Sequence, residues 1–177
     1  MIIIGLTGSI GMGKSRAAKM LRLMGVPVHD SDKAVHAALL PKGAAFSAVA
    51  KIFPDAVVKG TIDRKKLGAI VFSDKDALRN LEEILHPAAQ DSQQKFVRAM
   101  QAKGKRIVVL EIPLLFETGA EERVDYTITV SSPPAIQKRR VMRRPNMTEE
   151  KFRSILASQM TDAQKRSLSD FVVDTGL

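Results

Sequence analysis

Two rhythms of apolar and polar positions run along this chain. Ile2-Ile3-Ile4-Gly5-Leu6-Thr7 is a short apolar run rich in β-branched residues, which suits a buried parallel strand. Over residues 14–24 the spacing becomes helical, with Ala17, Met20, Leu21 and Met24 on one face. Gly25 follows where a helix end favours a left-handed residue. Residues 26–30 form a second short strand that ends in Asp30-Ser31-Asp32. Residues 33–103 then read as helical throughout. Breaks fall at Pro41-Lys42-Gly43 and Pro54, and Asp63 is positioned to cap a helix through Phe72. Ser73-Asp74-Lys75-Asp76 has the form of a capping box, opening a helix to Leu85. Pro87 fits the first position of a further helix that Gly104 ends. Strand patterning returns at 106–112 and 124–130. A basic helix from Ser132-Pro133 to about Arg144, a break at Pro145-Asn146 and a helix from Thr148 to near Met160 follow, before a last strand at 171–173.

Strands separated by helices predict an α/β fold with a parallel five-stranded sheet covered on both faces. The helical block at 33–103 interrupts that alternation and reads as an inserted subdomain within one domain spanning 1–177. In open α/β sheets, ligands sit at the C-terminal strand ends. Three features fall there: the loop after strand one, Asp30/Asp32 and Glu111.

That first loop, Gly8-Ser9-Ile10-Gly11-Met12-Gly13-Lys14-Ser15, is a complete G-x-x-x-x-G-K-[ST] phosphate loop. Its glycines allow unusual backbone conformations and let amide N–H groups approach an anion. Lys14 brings a compact positive charge to the β- and γ-phosphates, and the Ser15 hydroxyl is the kind of ligand that holds Mg²⁺. Strand before and helix after aim a helix N-terminus at the phosphates. These features predict a P-loop NTPase that binds a nucleoside triphosphate.

Asp30 and Asp32 stand one strand away from this loop. Phosphoryl transfer often uses a carboxylate to take the acceptor's proton, whereas an aspartate before a helix is also a common cap. The two roles are compatible, with Asp30 orienting the loop and Asp32 facing substrate. Glu111 follows Val108-Val109-Leu110; it has the place of an acid that assists Mg²⁺ and equally that of a structural residue. Arg140 and Arg144 are four apart on the basic helix, a spacing that would let them clamp phosphates from one face. Lys138 is expected to face solvent. His29, His36 and His86 share no metal-ligand spacing, and a structural or hydrogen-bonding role suits His86.

Composition narrows the classes. The net charge of +9 points to polyanionic partners, either nucleic acid or multiply phosphorylated small molecules. Aromatic residues are 5% with no tryptophan, which argues against a surface that stacks bases. No N-K-x-D sequence is present, which disfavours a guanine-reading switch. The absence of cysteine excludes disulfides and thiolate chemistry. No signal peptide or membrane-length apolar run is evident, so a cytoplasmic protein is expected.

The chain resembles the dephospho-CoA kinases. The resemblance spans nearly its whole length and rests on residues 6–15, Asp30-Ser31-Asp32, Leu85-His86-Pro87 and Ile112-Pro113-Leu114-Leu115-Phe116-Glu117. It continues through Gln137-Lys138-Arg139-Arg140 with Arg144, and Ser158-Gln159. It implies transfer of the ATP γ-phosphoryl group to the ribose 3′-hydroxyl of dephospho-CoA, with Mg²⁺. It also implies that Lys14, Asp32 and Arg140 are catalytic, Asp32 matching the family's proposed base. Gly8, Gly11, Met12, Gly13, Lys14, Ser15, Arg16 and Arg144 would then bind nucleotide, and Asp30, Asp32, His86 and Leu114 the acceptor. The insertion would hold the acceptor, and helices at 133–160 would form a lid. A monomer or weak homo-oligomer with no nucleic-acid or membrane partner is expected. Three features depart from the family pattern. Pro145 stands where an aspartate is frequent, Ser154 stands where many members have arginine, and the chain stops at Leu177, where a C-terminal helix usually follows.

Overall fold

A computed structural model describes residues 1–176. In chain order the elements are β1 (Ile2–Thr7), α1 (Lys14–Leu23), β2 (Val28–Asp30), α2 (Ser31–Ala38), α3 (Phe46–Ile52), β3 (Val57–Val58) and β4 (Thr61–Ile62). They continue as α4 (Arg64–Ser73), α5 (Lys75–Ala102), β5 (Ile107–Glu111), β6 (Tyr126–Ser131), α6 (Pro134–Met142), α7 (Glu149–Ala157), α8 (Asp162–Leu168) and β7 (Phe171–Asp174). The chain divides into two units: residues 1–30 with 97–177, and residues 31–96.

The first unit is built on a five-stranded sheet in the order β2-β5-β1-β6-β7, with every neighbouring pair parallel. The central strands are shielded on both faces: Val108 and Val109 of β5 and Thr129 and Val130 of β6 are fully buried. This is why β5 reads as a near-continuous apolar run, whereas β6 buries the hydroxyls of Thr127 and Thr129 among its apolar residues. Leu6, Ala18, Val109 and Val130 form the packed centre. The register sets Leu6 opposite Glu111, Asp30 opposite Glu111, and Thr7 opposite Thr129. One C-terminal sheet edge therefore carries the start of the phosphate loop, Asp30 and Glu111. The expected apolar face of α1 is not the buried one: Ala18 is fully buried, while Met20 and, just past the helix end, Met24 are exposed. They border an apolar groove with Leu6, Leu21, Ile128 and Val173.

The second unit has its own core of Ala38, Leu39, Ala45, Val49, Phe53, Ala56, Leu67, Val71 and Leu81. Asp63 caps α4 as expected, its carboxylate accepting from the amides of Lys65 and Lys66. Four expectations for the secondary structure need correction. Asp74, not Ser73, caps α5 by accepting from Asp76 and Ala77. The Ser73 hydroxyl instead donates back to the carbonyls of Ala69 and Ile70. No helix begins at Pro87, because α5 runs unbroken through it for 28 residues. The missing N–H costs about 3 kcal/mol in a helix interior. Apolar residues on both sides of the proline, Leu81, Ile84, Leu85 and Ala88, pack in the same core and outweigh that cost. The block is also not helical throughout, since β3 and β4 pair as an antiparallel hairpin. Lys59 and Gly60 form its two-residue turn, both at positive φ. Finally, α8 lies where the sequence reading places no helix, although Thr161 and Gln164 form a capping box at its start.

Candidate active site

The phosphate loop connects β1 to α1. Gly13 opens the helix at φ 94°, and a Cβ there would lie 2.8 Å from Thr175 Oγ1. Gly11 has φ 78°, and a Cβ on it would lie 2.5 Å from Val141 of α6. Both positions combine a left-handed backbone with a neighbour that leaves no room for a side chain. Ser15 and Arg16 are exposed in the first turn of α1, where a helix offers its unpaired amides. Met12 is buried beneath the loop, and its carbonyl accepts from Thr175 Oγ1 at 2.6 Å.

Lys14 Nζ lies 3.1 Å from Glu111 Oε1, with both side chains largely buried. The structure thus brings the loop lysine onto the acid at the end of β5. Asp30 is level with Glu111 on β2. Burial holds the neighbouring His29 imidazole below its ordinary pKa, against the opposing pull of Asp30. Asp32 and His86 belong to the other unit. Asp32 is exposed in the first turn of α2, and His86 is exposed within α5. Ser31, which starts α2, accepts from buried Gln93 at 2.9 Å. Leu114 is half-buried in the segment after β5.

The basic stretch sorts into different roles. Arg140 is half-buried and donates to the carbonyl and hydroxyl of Thr175 at 2.6 and 3.0 Å. Arg144 is exposed in the turn beyond the end of α6, so the expected shared helical face with Arg140 does not form. The helix stops early because Pro145 disfavours helical conformation in the residue before it. Lys138 is on the exposed side, paired with Glu149 at 2.7 Å, and Arg153 reaches the same carboxylate. The Lys138 hydrogen bond holds the Glu149 carboxyl below its ordinary range.

Sequence reasoning passed over the role of Glu117. Its carboxylate accepts from the Met160 amide at 2.8 Å and from fully buried Lys165 at about 3 Å. Lys165 also donates to the Pro113 carbonyl, which accepts from the Thr7 hydroxyl at the end of β1. A lysine in a short polar helix carries no sequence signal of burial. The Glu117 carboxylate in P-L-L-F-E was the available hint.

A family model described as dephospho-CoA kinase matches residues 2–176. The chain belongs to the dephospho-CoA kinase family. A dephospho-CoA kinase of Mesorhizobium japonicum is 52% identical over 176 residues, covering 99% of this chain and 88% of that protein. A solved structure from Thermus thermophilus superposes with a TM-score of 0.88 at 36% identity, over 99% of this chain and 89% of its own. Dephospho-CoA kinase from Campylobacter jejuni gives 0.71 at 29% identity, over 99% and 88%. As a member of this family the chain is an enzyme of the transferase class. Among the described residues, no helix is long and apolar enough to cross a membrane.

Proposed function

We infer that this chain phosphorylates the ribose 3′-hydroxyl of dephospho-CoA with ATP, giving coenzyme A. The observation that carries this reading is the Lys14–Glu111 pair beside a complete phosphate loop, in a chain matched over residues 2–176 by the dephospho-CoA kinase model. Glu111 holds the Lys14 ammonium at the loop before nucleotide arrives. With ATP bound, the ammonium turns toward the β- and γ-phosphates, whose charge outcompetes one carboxylate.

Asp32 takes the proton of the acceptor hydroxyl as the new O–P bond forms. Its exposed place in the first turn of α2 leaves the carboxylate available. Arg140 steadies the loop through Thr175, and Arg144 is the exposed cation available to nucleotide phosphate. Asp30, His86 and Leu114 contribute to acceptor recognition, as does the helical unit as a whole. The donors suit Mg²⁺ bound with phosphate: the exposed Ser15 hydroxyl would hold it, with the Glu111 carboxylate at the end of β5 assisting. When bound, Mg²⁺ neutralises charge on the transferring phosphates. We place the enzyme in the cytoplasm, acting on its small-molecule substrate as a monomer or weak homo-oligomer.

The test is a coupled assay of ADP release from Mg-ATP with dephospho-CoA, shikimate or a nucleoside monophosphate as acceptor. Turnover is expected with dephospho-CoA and only background with the others. Equal or faster turnover with another acceptor would overturn the substrate assignment.

A further inference from the structure

The phosphate loop is made of residues that resist being held in one shape. Gly8, Gly11 and Gly13 sit at φ 152°, 78° and 94°, and glycine loses more conformational freedom on ordering than any other residue. A loop that binds triphosphate in this shape needs an external hold, and the hold must leave the phosphate-facing amides open.

Two glutamines supply it at Ile10. Gln159, just past the end of α7, accepts from the Ile10 N–H at 3.1 Å. Gln137, buried on α6, donates from Nε2 to the Ile10 carbonyl at 2.8 Å. The N–H lies in the peptide plane before Ile10 Cα, and the carbonyl lies in the plane after it. Only φ and ψ are soft at a residue, so fixing both planes fixes both angles. The backbone also dictates which end of each amide is used: an N–H demands an oxygen and a carbonyl demands an NH₂.

The surroundings anchor both glutamines. Gln137 shares α6 with Val141, and Gln137 and Val141 press together against Gly11. The residue after Gln159, Met160, is tied by its amide to Glu117, which pairs with buried Lys165. The peptide groups of Ile10 and the Met12 carbonyl are thus satisfied internally. The first-turn amides at Lys14 and Ser15 are of the kind a helix leaves for an outside acceptor.

We propose that Gln137 and Gln159 are positioning residues that preorganise the phosphate loop for ATP by bracketing Ile10. This rests on the kinase reading above. Without the bracket, nucleotide must order the glycine loop as it binds, and affinity for ATP falls.

The experiment compares Gln137→Met, Gln159→Met, Gln159→Glu and the double Met variant. It measures KM for each substrate, binding of ATP alone by calorimetry, and thermal stability. Each single Met variant is expected to weaken ATP binding and raise KM for ATP about 3- to 10-fold, the effect of one lost hydrogen bond, with KM for dephospho-CoA changed by less than about twofold. Gln159→Glu keeps the accepting oxygen and should retain most of the affinity that Gln159→Met loses. The double variant should lose less than the product of the two single losses, because both bonds act on one residue.

Unchanged ATP binding in the Gln159→Met variant would overturn the proposal. So would equal losses for Gln159→Glu and Gln159→Met. Gln159 is only half-buried, so its variants carry the test even if Gln137→Met fails to fold. A wild-type enzyme inactive on dephospho-CoA that still shows these ATP effects would sink the substrate assignment and spare the bracket.

Discussion

The sheet-bearing unit and the helical unit differ in how much polar chemistry they bury beside their apolar cores. Buried polar side chains concentrate in the first, with Glu111, Thr129, Gln137 and Lys165 among them, whereas the helical unit buries Ser31 and Gln93. Both units bury an apolar core, of nine residues in the helical unit, but only the sheet-bearing unit sets many buried polar groups beside it. Directional bonds fix atoms to fractions of an ångström, whereas apolar burial fixes volume. A site that must hold a triphosphate in line for transfer needs the first kind. The difference teaches that isosteric polar changes should be costly in one unit, and that the other should respond mainly to lost volume.

The largest expected effect tests Asp32, an exposed carboxylate in the first turn of α2. Asp32→Asn should lower kcat about 10²- to 10⁴-fold with little change in ATP affinity, as measured by steady-state kinetics. A loss below about threefold would make Asp32 a helix cap rather than the base.

Next comes Lys14→Ala, for which about a 10²- to 10³-fold loss of turnover is expected. It also strands the nearly buried Glu111 carboxylate, so the denaturation midpoint should fall. Adding Glu111→Ala should recover stability but not activity, which separates the two duties of the lysine.

Lys165→Ala sharpens the comparison within the polar unit. It leaves Glu117 without its cation, and breaking such a pair costs about 3 kcal/mol or more by chemical denaturation. Replacing both, as Lys165→Met with Glu117→Gln, should cost much less. In the helical unit, Leu67→Ala should cost about 2–5 kcal/mol while Leu67→Met stays under about 1.5 kcal/mol. Similar penalties for both Leu67 variants would mean that this core is as shape-specific as the polar one.

The smallest effect is at Glu149. Its folded-state pKa is depressed, so its contribution is present at neutral pH and fades as pH falls through that lowered value. Glu149→Gln should therefore lower the urea midpoint slightly at neutral pH and not in strong acid. A loss that persists in acid would rule out the Lys138 pairing as its source.

Much of this architecture is legible in local sequence. The central strands β1 and β5 were legible because they are largely shielded and so carry apolar runs, IIIGLT and IVVLE. The phosphate loop was legible because its chemistry is local: glycines for positive φ, lysine for charge, serine at a helix start. Thr148 and Asp63 were legible as caps for the same reason.

Three other features depended on partners distant in sequence. Pro87 sits inside a helix because residues on both sides of it share one core, a fact no local propensity contains. Lys165 is fully buried because Glu117 and Pro113, about fifty positions away, meet it there. The parting of Arg140 from Arg144 required knowing where α6 ends and that Thr175 waits beside it.

The sequence by itself determined the fold class, the phosphate loop and the identity of the chemical groups, since each follows from near-neighbour sterics and periodicity. Only the tertiary structure decided which of those groups meet one another, such as Lys14 with Glu111 and Arg140 with Thr175. Hydrogen bonds such as those that tie Ile10 to Gln137 and Gln159 join residues more than a hundred positions apart. Their worth depends on geometry that packing alone creates.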